Sequence, residues 1–322
     1  MPYWAKRSDM PRFAVVIPVY NKAPYVARAL TSVLRQSFAD WELVVVDDGS
    51  IDGSTEVIAR YTDSRMRVVR QDNAGVASAR NRGVAQTSAP FVAFLDADDW
   101  WEPTFLQEMD ALIRRHPGAG LYSSRYWIVR RGQRSVAALN VDGDFEEGEV
   151  DYFGLYAQTL CMPLCTGSVC VPREVFDKAS GFRPGVKLGE DFLLWAGIAL
   201  ENKTVVINKP LLSYNQDVDV TFRGTHHLYP PEEHFLWHLG DLEERGKGCA
   251  SLRQLLDNMR TYNLMSYLLE PHYCAAARKE LEKVDWARQP RDIQRLYRLP
   301  VPLLRLRKMI LAQGAAIKQR FK

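Results

Sequence analysis

The sequence lacks the long apolar runs and the cysteine spacing that mark several classes of protein. No segment reaches the ~18 apolar residues of a membrane-spanning helix, and no apolar run follows the charged N-terminal residues as it would in a signal peptide. The five cysteines are an odd number without zinc-ligand spacing, which favours reduced thiols. These absences predict a cytoplasmic protein, either soluble or peripheral at the inner face of the cell membrane.

Two ligand-binding signatures are also missing. No Gly-x-Gly-x-x-Gly follows the first predicted strand, which argues against a dinucleotide-dependent dehydrogenase. Basic and aromatic residues are not interleaved as they are in the stacking platforms that bind single-stranded nucleic acid. We therefore expect no nucleic-acid partner.

The chain has almost no excess of one sign of charge, since the net charge is only +3, but its charged residues are unevenly distributed. Residues 287–322 contain ten Lys or Arg and one acid, whereas the preceding residues contain 32 basic and 38 acidic side chains. Leucines and isoleucines alternate with the basic residues of this tail. The pattern suits an interfacial helix on anionic lipid, and it also suits a helix packed on the main domain. We favour the membrane surface.

The sequence does contain a series of short apolar runs that are typical of buried strands. Val-, Ile- and Phe-rich runs at 13–18, 41–46 and 91–95 alternate with segments of helical periodicity. Continuous apolar runs indicate strands covered on both faces, and therefore a doubly wound α/β fold with a mostly parallel sheet. Strand signals cease before 220. We predict a ligand-binding domain over residues 1–220 and a helical C-terminal region over 221–322.

Acidic residues follow two of these apolar runs. Asp47 and Asp48 close the second run, and Asp96, Asp98 and Asp99 follow a later one within four positions. The first pair could be an ordinary turn, but both groups would open onto the same edge of a parallel sheet. Mg²⁺ or Mn²⁺ is commonly held there by one or two carboxylates and the oxygens of a diphosphate. The sequence therefore predicts a metal-assisted diphosphate site.

Two further charged positions are candidates for this site. Arg80 follows Gly75 near the start of a predicted helix, where it could pair with the acidic groups or bind a diphosphate. Glu190 and Asp191 open another predicted helix, where acids complement the helix dipole. A carboxylate fixed at that position could also remove a proton from an acceptor hydroxyl.

Five motifs occur in one order along residues 13 to about 215. They are Val16-Ile17-Pro18-Val19-Tyr20-Asn21, Val46-Asp47-Asp48-Gly49-Ser50, Asn73-Ala74-Gly75 with Ala79-Arg80-Asn81, Leu95-Asp96-Ala97-Asp98-Asp99 and Gly189-Glu190-Asp191. This series resembles the motifs of family-2 inverting glycosyltransferases, which have the A-type nucleotide-sugar-binding fold, a Rossmann-like α/β architecture. A helical C-terminal extension would then follow the catalytic domain.

The resemblance implies a metal-dependent enzyme that moves one sugar from a nucleotide-sugar, by default a UDP-sugar, to an acceptor hydroxyl with inversion. Asp191 would be the catalytic base, and Thr166-Gly167-Ser168 would line the acceptor side. Asp98 and Asp99 would be the candidate ligands of Mn²⁺ or Mg²⁺, and which of them ligates stays open. The residues implied in donor binding are Pro18, Tyr20, Asp48, Arg80, Asp96 and Asp98.

The resemblance also has a departure and leaves alternatives. The Gln-x-x-Arg-Trp motif of processive members is absent, so a single transfer in surface polysaccharide or glycan synthesis is expected, with a glycan or lipid-linked glycan as acceptor. The alternatives are transfer to a polyprenyl phosphate and a nucleotide-sugar-binding module without turnover.

Four histidines near the predicted domain boundary have no assigned role in this series of motifs. His234 and His238 are four residues apart on a predicted helix and could hold a metal, but no carboxylate with zinc-hydrolase spacing accompanies them. We interpret them, with His226 and His227, as packing or surface histidines. Contact between one of them and the donor phosphates stays open.

Overall fold

The computed structural model describes residues 10–219 and 227–306. The chain divides into two compact units, residues 1–246 and 247–322. In the described part of the chain, every helix is too short or too polar to span a bilayer.

The first unit is built on a ten-stranded sheet. Its strands are β1 (Phe13–Val19), β2 (Trp41–Asp47), β3 (Met66–Arg70), β4 (Phe91–Phe94), β5 (Trp100–Trp101), β6 (Leu121–Arg130), β7 (Gln133–Val136), β8 (Glu147–Val150), β9 (Val169–Pro172) and β10 (Thr204–Asn215). Their order across the sheet is β3-β2-β1-β4-β9-β6-β10-β5, with β7 beside β6 and β8 beside β10. The neighbours among β1–β4 are parallel, as are β6 and β10, whereas β9 is antiparallel to both β4 and β6.

Helices connect the strands and cover the sheet. Those of the first unit are α1 (Val26–Leu34), α2 (Ser54–Ile58), α3 (Val76–Ala85), α4 (Phe105–Arg115), α5 (Tyr152–Thr159), α6 (Arg173–Lys178), α7 (Glu190–Ala199) and α8 (Gly240–Arg245). The predicted fold class, a mixed α/β fold with a central mostly parallel sheet and helices in the C-terminal part, is confirmed.

Both faces of the central strands are buried, as their continuous apolar runs predict. All seven residues of β1 are buried. Alternate side chains of β2 point to opposite faces, so Leu43 and Val45 join the large core cluster, whereas Val44 and Val46 pack with Ala79 of α3. At this second face α3 lies close to the sheet, and a Cβ added at Gly83 would come within 2.3 Å of the Val16 side chain. Glycine is therefore required there by the close approach.

The described part of the second unit is helical. Its helices are α9 (Ala250–Leu269), α10 (Cys274–Leu281) and α11 (Arg291–Tyr297), and residues 301–306 are also helical. Within this unit the Arg260 guanidinium is buried and pairs with Glu280 at 3.3 Å, which joins α9 to α10.

The boundary between the units lies later in the chain than residue 220, where strand signals cease in the sequence. Residues 231–245 form two short 3₁₀ turns and α8 within the first unit. The physical reason is that the segment around His234 pairs with the loop before α7. Leu188 and His234 form a parallel β-bridge, and the Phe235 amide donates a hydrogen bond to the Leu188 carbonyl at 3.0 Å. The predicted division of roles between residues 1–220 and 221–322 stays a prediction.

Candidate active site

The carboxyl ends of β1, β2 and β4 lie at one edge of the sheet. The three strands are adjacent and parallel, so the residues that follow them are neighbours. Pro18 is buried in β1 opposite Val46, and Tyr20 comes directly after β1 with 45% of its surface exposed. The loops after β1 and β2 are joined by hydrogen bonds, one of which runs from the Asn21 amide to the Ser50 hydroxyl at 3.1 Å.

Asp48 organises the loop between β3 and α3. Its buried carboxylate accepts hydrogen bonds from the Ala74 and Gly75 amides, both at 2.9 Å, and from the Gln71 side chain at 2.6 Å. Both oxygens are therefore used to hold the loop that contains the Asn73-Ala74-Gly75 motif. Gln71 carries no motif that the sequence alone would single out.

The three acids that follow β4 occupy different environments. The Asp98 carboxylate is partly exposed and forms an ion pair with Lys22 at 2.6 Å. Asp99 is buried, and one of its oxygens accepts a hydrogen bond from the Asn215 amide at 2.8 Å while the other has no hydrogen-bond partner. Burial, reinforced by Asp98 and Asp96, raises the pKa of Asp99 well above its ordinary value.

The acidic side chains after β4 determine whether this site could hold the expected Mg²⁺ or Mn²⁺. Among the described residues, no three His, Cys, Asp or Glu side chains converge as a metal-binding group. Mg²⁺ and Mn²⁺ at nucleotide sites need only one or two carboxylates when phosphate oxygens supply the remaining ligands. The partly exposed Asp98 carboxylate fits that role, and the burial of Asp99 favours Asp98 as the ligand.

Arg80 joins two of the predicted site segments. Its guanidinium is buried, and it donates to Asp96 at 2.6 Å and to Glu190 at 2.8 Å. It also lies over the Phe182 ring, 4.9 Å from the ring centroid. Because Asp96 follows β4 and Glu190 begins α7, this single side chain ties the donor edge of the sheet to the helix that carries Asp191.

Asp191 is in contact with the segment predicted to line the acceptor side. Its carboxylate accepts hydrogen bonds from the Thr166 hydroxyl at 3.1 Å and from the Phe192 amide at 2.7 Å. The neighbouring Gly167 carbonyl accepts a hydrogen bond from the Trp101 indole at 2.6 Å, which connects this segment to the chain just after Asp99. The structure thus brings together Asp96, Arg80, Asp191 and the 166–168 segment.

The paired acids at the start of α7 have raised pKa values. Burial, together with the neighbouring Asp191, raises the pKa of Glu190 to about 7, although Arg80 opposes the shift. Burial also raises the pKa of Asp191, against the lowering effects of Arg80 and of its own hydrogen bonds. A carboxylate whose pKa lies closer to neutrality is a stronger base, as proton abstraction requires.

Gly189 sets the geometry of this helix start. Its φ is +78°, which is a left-handed conformation, and a Cβ at this position would lie 2.4 Å from the Phe235 ring. We expect Gly189→Ala to lower the free energy of unfolding by about 2 to 4 kcal/mol, because backbone strain and overpacking both oppose the added methyl group. Urea unfolding of the purified protein measures the effect.

Gly185→Ala is the matched control for this substitution. Gly185 has a similar φ of +84°, but nothing lies within 4 Å of the position of its Cβ. Gly185→Ala should lower the free energy of unfolding by only about 1 to 2 kcal/mol, from backbone strain alone. Equal effects of the two substitutions would contradict the packing of Phe235 against Gly189.

The histidines differ from their predicted helical arrangement. His234 is extended and precedes a 3₁₀ turn, Phe235–His238, so the two are not one turn apart on an α-helix. His234 is buried, its Nδ1 accepts a hydrogen bond from the Leu236 amide, and burial lowers its pKa to about 4. His227 lies near the Tyr229 ring, and His226 lies outside the described residues. His234 therefore has a packing role.

Two ion pairs of the site were missed by sequence reasoning. Lys22 pairs with Asp98, and no role was predicted for this lysine. Glu190 was named with Asp191 as a candidate, but its pairing with Arg80 was not predicted. Lys22 offered no signal, because a lysine in a turn is ordinarily a solvated residue.

Comparison with known proteins finds similarity in the part of the chain that contains β1, β2 and β4. Residues 14–164 match the family model of Glycosyl transferase family 2. An uncharacterized glycosyltransferase of Nostoc sp. is 43% identical over 179 residues, which cover 54% of each chain. A Bacillus subtilis protein named for teichuronic acid biosynthesis, TuaG, is 39% identical over 101 residues, which cover 30% of this chain and 40% of that protein.

Solved structures resemble the fold over more of the chain. Staphylococcus aureus TarS, residues 1–349, superposes with a TM-score of 0.68 at 19% identity, covering 86% of this chain and 82% of that one. TarS has also been solved in complex with UDP-GlcNAc, and that structure superposes with a TM-score of 0.62. The chain spans less than two thirds of the length of the curated relatives, between 14% and 54% of it.

Proposed function

We propose, from the match of residues 14–164 to glycosyl transferase family 2, that this chain transfers one sugar from a nucleotide-sugar to an acceptor hydroxyl with inversion. We further propose that the donor is a UDP-sugar and that the product belongs to a cell-surface polysaccharide or related glycan. The UDP-GlcNAc complex of TarS and the name of TuaG support these two choices.

The single observation that carries the proposal is the position of Arg80. It bridges Asp96, at the edge where nucleotides bind in doubly wound sheets, and Glu190, the neighbour of Asp191. A nucleotide-sugar bound at that edge would therefore place its sugar towards Asp191 and Thr166. The arrangement would bring a donor site and a base together at one edge of the sheet.

The donor side is formed by the loops after β1, β2 and β4. Pro18, Tyr20 and the loop held by Asp48 accommodate the nucleoside, and Asp96 can accept hydrogen bonds from the ribose. Mn²⁺ or Mg²⁺, when bound, would neutralise charge on the diphosphate as a Lewis acid, and Asp98 is the residue that would hold it. Lys22, which contacts Asp98, adds positive charge beside the same phosphates.

The reaction is a single displacement. Asp191 removes the proton of the acceptor hydroxyl, and the acceptor oxygen attacks the anomeric carbon from the face opposite the diphosphate. The bond between that carbon and the phosphate oxygen breaks, and the nucleoside diphosphate leaves with the electron pair. The proton stays on Asp191 until solvent removes it. The new glycosidic bond therefore has the inverted configuration.

Product analysis tests the function. The purified protein should release a nucleoside diphosphate from one member of a panel of UDP-, GDP- and dTDP-sugars when Mn²⁺ and glycan or lipid-linked glycan acceptors are supplied. NMR of the product should show an anomeric configuration opposite to that of the donor. Binding of a nucleotide-sugar without release of nucleoside diphosphate across the panel would instead indicate a module without turnover.

The pH dependence of kcat/KM follows from the raised pKa of Asp191. Asp191 must be ionised to act as a base, so activity should fall as pH decreases through its raised pKa. Because burial raises the pKa of Asp191, the acid limb should lie above the ordinary aspartate value of 3.8. A profile of kcat/KM from about pH 4 to pH 9 measures this limb, because kcat/KM reports the groups of the free enzyme. Constant activity down to the lowest pH would contradict Asp191 as the base.

A further inference from the structure

The second unit exposes a row of leucines close to its last described residues. Leu299, Leu303 and Leu306 expose 39%, 50% and 48% of their surfaces. Leu303 and Leu306 are three residues apart in the helical segment 301–306, so they project from the same side of that helix. Exposed apolar side chains that share one face are typical of surfaces that bind a protein, a membrane or a ligand.

The opposite side of the same segment is anchored. Leu304 is buried with only 3% of its surface exposed, and the Arg305 side chain donates a hydrogen bond to the carbonyl of Leu269, the last residue of α9, at 2.9 Å. The preceding helix α11 is held through Tyr297, whose hydroxyl donates to the Thr261 carbonyl at 2.6 Å. The leucines are therefore presented outward on a supported segment.

Basic residues surround this row and acids are almost absent. Arg295, Arg298 and Arg305 are exposed, and Arg298 directly precedes Leu299. Over residues 287–322 the sequence contains ten Lys or Arg and only Asp292 as an acid. Exposed leucines among cations are typical of segments that lie in the interface of an anionic bilayer, where the apolar groups enter the acyl boundary and the cations meet phosphate headgroups.

We propose that Leu299, Leu303 and Leu306, with the arginines beside them, form a docking surface for a bilayer that contains anionic phospholipids. A second copy of the chain fits less well, because a symmetric contact would bring the two basic surfaces together. Nucleic acid would satisfy the arginines but would leave the leucines exposed, since its binding sites stack bases on aromatic side chains. An anionic lipid surface complements both components.

Vesicle flotation of the full-length protein tests the proposal. The protein should float with vesicles of phosphatidylcholine containing roughly one third phosphatidylglycerol, and it should stay unbound with phosphatidylcholine alone. Leu303→Ser combined with Leu306→Ser should lower the bound fraction at least about fivefold. Arg295→Gln combined with Arg298→Gln should weaken binding and reduce its dependence on salt. Circular dichroism confirms that each variant is folded.

Val68→Ser is the matched control. Val68 lies on β3 of the first unit and is 47% exposed, so its substitution removes an exposed apolar side chain far from the leucines in the sequence. It should float like the unchanged protein. Undiminished flotation of the double leucine variant would overturn the proposal, as would equal binding to vesicles without phosphatidylglycerol. Leucine-dependent dimers in size-exclusion chromatography, without vesicle binding, would overturn it in favour of self-association.

Discussion

Asp191→Asn should lower kcat roughly 10²- to 10⁴-fold, equivalent to about 3 to 5 kcal/mol in the barrier, while the affinity for the nucleotide-sugar stays nearly unchanged. The amide keeps the shape of the side chain, and its oxygen can still accept a hydrogen bond from Thr166 or Phe192. It cannot take up the acceptor proton. Steady-state kinetics with the active donor, and calorimetry of donor binding, separate the two quantities.

Asp241→Asn is the control for this loss. Asp241 is 69% exposed and pairs with Arg245 on α8, so its replacement removes a carboxylate without touching the proposed site. Its kcat should match that of the unchanged protein. Near-normal turnover by the Asp191 variant would assign the base to another group, and an equal loss of donor affinity would indicate that Asp191 acts on the donor instead.

Arg80→Met should be the most destabilising of the substitutions, lowering the free energy of unfolding by about 3 to 5 kcal/mol. Methionine fills part of the volume but leaves Asp96 and Glu190 without their shared cation. Because Glu190 is buried, its carboxylate would then be uncompensated. Urea unfolding followed by tryptophan fluorescence measures the loss, and donor binding should be lost with it.

Two further variants make this prediction specific. Arg70→Met removes an arginine whose side chain is 61% exposed and lies 3.7 Å from Asp47, so it should cost less than about 1 kcal/mol. Adding Glu190→Gln to Arg80→Met removes the stranded carboxylate and should restore part of the stability. Strict additivity of the two changes would contradict the buried bridge between α3 and α7.

Much of the fold could be predicted because its signals are local. The apolar runs of β1, β2 and β4 are continuous, and strands buried on both faces require such runs. Asp48 and Asp96 could be assigned to one edge of the sheet because each follows a strand of the same parallel sheet, and the carboxyl ends of parallel strands lie at one edge. By contrast, β5 has only two residues, and the pairing of β9 with β4 is a tertiary contact without a periodic signature.

The partners within the site depend on contacts that the sequence does not encode locally. Arg80 and Glu190 are 110 residues apart, and only the folded arrangement of α3 and α7 brings them together. The difference between Asp98 and Asp99 depends on the turn after β4, which directs one carboxylate to Lys22 and the other to the Asn215 amide. Adjacent acids in a sequence are therefore a poor guide to which of them reaches solvent.

The place of β9 in the sheet constrains the order in which the chain can assemble during synthesis. Because β9 lies between β4 and β6, and the described partners of β6 are β7, β9 and β10, the β6–β7 hairpin cannot join the first four strands until residues 169–172 have left the ribosome. Until then the outer edge of β4 is open to pairing with other nascent chains. A truncation that ends before residue 169 would leave that edge permanently uncovered and prone to aggregation.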